Sequence, residues 1–120
     1  MVVASSTGLR IGSEAKASLK ALRRSLGQVG LALPGSVAVR SYRCGKDNCA
    51  CHGDPPRLHG PYIQWSRSVG GRTVHRRLSE DQLADYQILF DNARRLKEMV
   101  TELEALTLGI VEDDDRWPSR

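Results

Sequence analysis

Apolar positions recur along this chain first at helical spacing, then in alternation, then at helical spacing again, and each period predicts an element. From Ser13, the residues Ala15, Leu19, Leu22 and Leu26 follow one helical stripe, while Lys16, Lys20, Arg23 and Arg24 take the other faces. Residues 13–30 therefore read as a basic amphipathic helix, with Ser13 as its N-cap and its end between Gly27 and Gly30. After the turn at Leu33-Pro34-Gly35, Val37, Val39 and Ser41 alternate with Ala38, Arg40 and Tyr42 as a first strand.

A hairpin follows. Tyr62–Val69 and Arg72–Leu78 flank Gly70-Gly71, a two-residue loop able to adopt the positive dihedrals of a tight turn. Opposing Val69 to Arg72 also opposes Arg67 to Val74, Trp65 to Arg76 and Ile63 to Leu78. That register gathers Ile63, Trp65, Val69, Val74 and Leu78 on a core face, with Arg76 placed to stack on Trp65. Tyr62, Gln64, Ser66, Ser68, Thr73, His75 and Arg77 take the other, polar face.

The last pattern is the longest. Ser79 with Gln82 forms a capping box, Glu80 and Asp81 fall in the first turn, and Tyr86, Leu89, Ala93, Leu96, Val100, Leu103, Thr107 and Ile110 repeat at spacings of three and four. A seam of that length over residues 79–110 needs a partner, either the N-terminal helix, about half as long, or the same helix of a second chain; its length favours the second, a homodimer joined through Leu89, Leu96, Val100 and Leu103. Leu83, Ile88, Phe90, Met99 and Leu106 widen the apolar surface beyond a two-stranded seam, so part of the helix is expected to pack within its own chain. Residues 1–12 show no periodicity and read as a disordered arm, and 111–120 as an acidic flexible tail. The expected class is α+β: a small three-stranded antiparallel sheet with a zinc-binding loop over residues 35–78, flanked by an N-terminal helix and a long C-terminal helix.

Composition limits what the sheet can do alone. Six aromatics in 120 residues, Tyr42, Tyr62, Trp65, Tyr86, Phe90 and Trp117, leave the middle segment short of a core, so a metal or a partner chain is expected to supply the rest. Charge divides unevenly: residues 1–39 carry five Lys/Arg against one acid, 40–78 eight against two, and 79–115 three against eleven. The basic part favours a phosphate backbone. The N-terminus has no basic-then-apolar leader, three cysteines cannot all pair, and no apolar run reaches membrane length, which together predict a reduced, cytoplasmic protein away from the membrane.

The candidate chemistry sits between the first strand and the hairpin. Cys44, Cys49, Cys51 and His59 lie within sixteen residues, and three thiols with one imidazole are the donor set of a closed structural Zn²⁺ site. His52, next to Cys51, is the competitor for the fourth position. A catalytic zinc would need an open position and an acid/base partner, but only Asp47 and Asp54 are near. With no phosphate loop, dinucleotide fingerprint or serine triad either, the chain is expected not to be an enzyme.

Arg43-Cys44-Gly45-Lys46, Asn48-Cys49, Cys51, Leu58-His59-Gly60-Pro61-Tyr62, Trp65 and Gly70-Gly71-Arg72 together resemble a family of small bacterial and phage proteins of unknown function. Its pattern is an Arg-Cys-Gly-Lys opening, a cysteine pair, a His-Gly-Pro-Tyr box, a glycine turn and a long helix, and the resemblance runs from Gly35 to Leu106. Such proteins look like companions of mobile elements and recombination genes, which implies nucleic-acid handling. The sheet is also loosely similar to the three-stranded sheets by which some integrases and transposition proteins enter a DNA groove. On that similarity Gln64, Ser66, Thr73 and Arg77 would face base edges, with Arg40, Arg43, Lys46, Arg57, Arg67 and Arg72 on phosphates. The expected function is a non-enzymatic, zinc-containing accessory or regulatory protein that binds nucleic acid, DNA in preference to RNA. The alternative is a protein–protein adaptor in a larger recombination, defence or phage complex.

Overall fold

The computed structural model describes residues 8–118 and runs in the order α1 (Ser13–Gly27), β1 (Ser36–Tyr42), a single 3₁₀ turn (Ala50–His52), β2 (His59–Val69), β3 (Arg72–Leu78) and α2 (Glu80–Glu112). The three strands form one antiparallel sheet in the order β1-β2-β3, so the α+β class with two flanking helices holds. Two compact units divide the chain: Leu31–Ala93, and Met1–Gly30 together with Arg94–Arg120.

In the first unit the hairpin has the register that the alternation predicts, from Val69 opposite Arg72 to Ile63 opposite Leu78. Gly70 and Gly71 both adopt positive φ, 57° and 81°, as the two-residue turn requires. Strand β1 adds Val37 opposite Trp65 and Val39 opposite Ile63 to the apolar face. The start of α2 covers part of that face, where Phe90 is buried and meets Trp65 edge-on at 6.2 Å. Residues 31–34 are tied down by three hydrogen bonds: Leu33 N–H to the Leu89 carbonyl at 2.9 Å, Asn92 Nδ2–H to the Leu31 carbonyl at 2.8 Å, and Trp65 Nε1–H to the Pro34 carbonyl at 2.9 Å. Trp65 is thus half-buried with its indole N–H satisfied. The guanidinium over Trp65 belongs to Arg67, 4.4 Å from the ring centroid, and not to Arg76. Arg67 follows Trp65 by two positions on the same strand face, so it is already beside the ring.

The capping box closes α2 from both sides: Ser79 Oγ accepts the Gln82 N–H at 3.0 Å, and Gln82 Oε1 accepts the Ser79 N–H at 2.9 Å. Helix α1 opens differently from expectation. Gly12, in extended conformation, is the N-cap and its carbonyl accepts the Lys16 N–H at 3.0 Å, leaving Ser13 as the first helical residue. The helix ends at Gly27, the near edge of the expected Gly27–Gly30 range, where the last turn tightens, with Gln28 N–H on the Ser25 carbonyl and Val29 N–H on the Leu26 carbonyl.

In the second unit Ser18, Ala21, Leu22 and Ser25 of α1 share a shallow hollow with Glu102 and Leu106, and Glu14 and Ala15 share another with Gly109 and Ile110. The two helices therefore run antiparallel. No α1 residue is fully buried, and Met99 alone among the described residues of this unit is, with 1% of its surface exposed. Helix α2 continues to Glu112, past the expected end at residue 110. Residues 113–118 then fold back on it where a flexible tail was expected. Trp117 Nε1–H donates at 2.8 Å to the Val111 carbonyl, which also accepts the Asp114 N–H at 3.1 Å, and Arg116 grips Asp114 through Nε and Nη2 at 2.9 and 2.8 Å. The expected disordered arm lies outside the described residues up to residue 7, as do residues 119–120 of the tail.

Candidate metal centre

The donor atoms of Cys44, Cys49, Cys51 and His59 all lie within 4.8 Å of one another, and the cluster can hold a metal ion. Cys44 and Cys51 sulfurs are 3.6 Å apart, and Cys49 Sγ is 3.4 Å from His59 Nε2. Zinc held at about 2.3 Å by sulfur and about 2.0 Å by nitrogen would set tetrahedral edges of roughly 3.8 Å between sulfurs and roughly 3.5 Å between sulfur and nitrogen. The Cys44–Cys51 and Cys49–His59 separations are close to those edges, and the four donors together span up to 4.8 Å. The Cys44–Cys51 separation is far too long for a disulfide, whose sulfurs sit about 2.05 Å apart.

Short-range backbone geometry builds three corners of this cluster. Cys49 N–H bonds the Lys46 carbonyl at 3.3 Å, His52 N–H the Cys49 carbonyl at 3.0 Å, and Gly53 and Arg57 N–H both reach the Ala50 carbonyl, at 3.0 and 3.1 Å. The resulting 3₁₀ turn carries Cys51 to full burial. Cys44 N–H points at Cys51 Sγ from 3.3 Å, a donor that favours a thiolate. The Cys49 thiol is lowered to about 6, first by the backbone N–H of Cys51, then by thiol contacts with Cys51 and Cys44, and least by His59. Burial pushes the Cys51 thiol up. His52 is not the fourth corner: its Nε2–H donates to the Cys44 carbonyl at 2.7 Å, bracing the strand end that supplies Cys44.

His59 reaches the cluster through a bulge. Between the pairs Arg40–Tyr62 and Tyr42–His59 the register shifts, so that Gly60 and Pro61 together oppose Ser41. Unbroken alternation along β2 would put His59 on the Trp65 face, whereas pairing with Tyr42 puts it on the opposite one. Proline can occupy such a position because it has no N–H to contribute. Gly60 holds φ at 107°, and a Cβ there would stand 2.7 Å from the Arg40 carbonyl, so only glycine fits.

On the same sheet face Tyr42 lies between His59, at 6.4 Å, and Tyr62, at 5.5 Å, between ring centroids. The Arg77 guanidinium sits 3.7 Å from the Tyr62 centroid and hydrogen-bonds the Tyr42 hydroxyl. Sequence reasoning missed this aromatic group. Alternation alone places Tyr42 and Tyr62 on one face, but their neighbourhood with His59 depends on the bulge. His75, also on that face, bonds Ser66 Oγ through Nδ1 at 2.7 Å.

The residues proposed to touch nucleic acid do not share one surface. Arg40, Gln64, Thr73 and Arg77 lie on the polar face by register, and Arg43, Lys46 and Arg57 are exposed beside or within the cysteine loop. Arg67 and Arg72 fall on the opposite, Trp65-bearing face; Arg67 Nη1 is buried there with no hydrogen-bond partner. Of the residues proposed for pairing, Leu89 belongs to the sheet-bearing unit, while Leu96, Val100 and Leu103 belong to the helical one. Leu89, Leu96 and Leu103 are half-buried and Val100 is exposed. Among the described residues no helix is long and apolar enough to cross a membrane.

The family profile described as Domain of unknown function (DUF6788) matches residues 16–87, from the first turns of α1 through the start of α2. The matched stretch contains the whole metal cluster and sheet; it begins before and ends before the Gly35–Leu106 span of the sequence resemblance. No curated protein matches the chain, and no solved structure does.

Proposed function

The chain belongs to the DUF6788 family, and we propose that it is a non-enzymatic, zinc-containing accessory or regulatory protein that binds nucleic acid, DNA in preference to RNA, of the kind that serves a mobile element or recombination system. The observation that carries the zinc is the gathering of three sulfurs and one imidazole nitrogen within 4.8 Å of one another. Four protein donors close the site, so the ion's part is to fold the loop onto the sheet, with no vacant position for chemistry. Support for the polymer comes from the polar sheet face, where Arg40, Gln64, Thr73 and Arg77 are neighboured by loop cations Arg43, Lys46 and Arg57.

The test is twofold. Protein purified without added zinc should carry one zinc per chain, and labelled duplex DNA should bind with an affinity that falls steeply between about 50 and 200 mM salt. Charge reversal at Arg40, Arg43 and Arg77 should flatten that dependence; unchanged duplex binding would remove the sheet from the reading.

A second reading, a protein–protein adaptor, draws on exposed apolar residues of α2: Ile88 at 60%, Val100 at 43% and Leu108 at 63% exposure. Homodimerisation through α2 draws on the same surface and is checked by light scattering. Association driven by these residues would be nearly insensitive to salt.

A further inference from the structure

We infer that the polar sheet face carries a stacking site for an unpaired base of a single-stranded nucleic acid, centred on Tyr42, Tyr62 and Arg77. The inference rests on the nucleic-acid reading above and names the form of the polymer. Tyr42 and Tyr62, two of only six aromatics in the chain, sit on the face turned away from Phe90, and Tyr42 leaves 43% of its surface in water. Their ring centroids are 5.5 Å apart and the rings inclined by 42°, a tilted contact and not a parallel stack. Arg77 spans the pair, over Tyr62 at 3.7 Å and bonded to the Tyr42 hydroxyl, so two rings and a guanidinium plane are held in place before any ligand arrives.

The surroundings complete the chemistry. Gln64 is the register partner of Arg77 and offers an amide to a base edge, while Arg40, the partner of Tyr62, and Arg43, next to Tyr42, offer charge to the adjoining phosphates. Aromatic planes flanked by cations recognise bases through their π-faces. A duplex hides those faces in its own stack and shows only edges, so this arrangement favours a single strand over a duplex. The loop cations continue the charged path toward the metal cluster, and His59 beside Tyr42 links that cluster to the platform.

The experiment measures fluorescence polarisation of labelled oligothymidylate, oligouridylate and a duplex of equal length with the full chain, across a salt series. A single strand is expected to bind more tightly than the duplex. Tyr42→Leu and Tyr62→Leu should each weaken single-strand binding by about 5- to 150-fold, while Tyr62→Phe, which keeps the ring beneath Arg77 and leaves the Arg77–Tyr42 hydrogen bond intact, should bind like wild type. Zinc content and thermal melting of each variant separate lost stacking from lost folding. Arg77→Leu, away from the cysteine loop in sequence, must show a loss of the same kind. Duplex binding equal to single-strand binding, or single-strand binding that survives Tyr42→Leu and Arg77→Leu, overturns the inference and leaves the broader reading standing. Absence of salt-dependent binding to all three probes overturns both.

Discussion

The sheet-bearing unit, Leu31–Ala93, and the helical unit, Met1–Gly30 with Arg94–Arg120, solve the same shortage of apolar material in different ways. The first buries Leu78, Phe90 and Cys51 and gathers four soft donors where further hydrophobes would otherwise be needed. The second has Met99 as its one fully buried side chain among the described residues, between helices whose remaining apolar contacts are partial. A metal site concentrates stabilisation in a few bonds of fixed direction, whereas a helix pair spreads it over many weak contacts. The first unit should therefore fail abruptly when a single donor is lost, and the second should yield by degrees.

Removing a donor is the largest predicted effect. Cys51→Ser should abolish zinc binding and unfold the loop and the adjoining sheet edge, since structural zinc contributes on the order of 10 kcal/mol to small domains. Metal analysis and near-ultraviolet circular dichroism read the loss, and chelation of the wild type should reproduce it. A folded, unaltered sheet after chelation would mean that the cluster is not what holds this unit. Met99→Ala should cost about 2–5 kcal/mol in the helical unit, seen as a lower melting temperature, with zinc content unchanged. Loss of zinc in that variant would show that the two units do not fail independently.

Two smaller changes sharpen the contrast. Ser79→Ala removes one half of the capping box and should cost about 1 kcal/mol, measured by denaturant unfolding, without altering metal content. At the other end of α2, the Arg116 side chain foremost, with the Arg116 backbone N–H, holds the Asp114 carboxyl below its ordinary value. A depressed carboxyl pKa contributes stability that is present above the unfolded-state value near 4 and is lost as pH falls through the folded value. Acidification below about pH 4 should therefore loosen the Trp117 fold-back, followed by tryptophan emission in a Trp65→Phe background, and Asp114→Asn should remove the pH dependence while leaving zinc in place.

Much of this architecture was legible in residue order because its causes are local. Gly70-Gly71 has no side chain to resist a two-residue turn, and once that turn is placed, every cross-strand pair of the hairpin follows by counting. Ser79 and Gln82 announce the start of α2 for the same reason: each side chain reaches only one helical turn. The donor set at Cys44, Cys49, Cys51 and His59 was visible from residue type and density. Arg67 was less legible, because alternation assigns it to the Trp65 face while its charge argues for solvent, and only the packed indole resolves the competition. Phe90 and Met99, both off the seam, are buried, while Val100 on it is exposed. Spacing reports which residues share a stripe, but the neighbours of each part of the helix decide which stripe is covered.

The sequence by itself determined the elements, the hairpin register and the chemical identity of the candidate metal donors, since turns, caps and alternation act over a few bonded neighbours. Tertiary structure alone decided which face His59 would join. Gly60-Pro61 opposite Ser41 inserts one residue into the ladder, and a shift of one reverses every side chain beyond it. The same shift carries the imidazole to the cysteines and sets it beside Tyr42. It depends on pairing between β1 and β2 across the whole cysteine loop, which no window of adjacent residues contains.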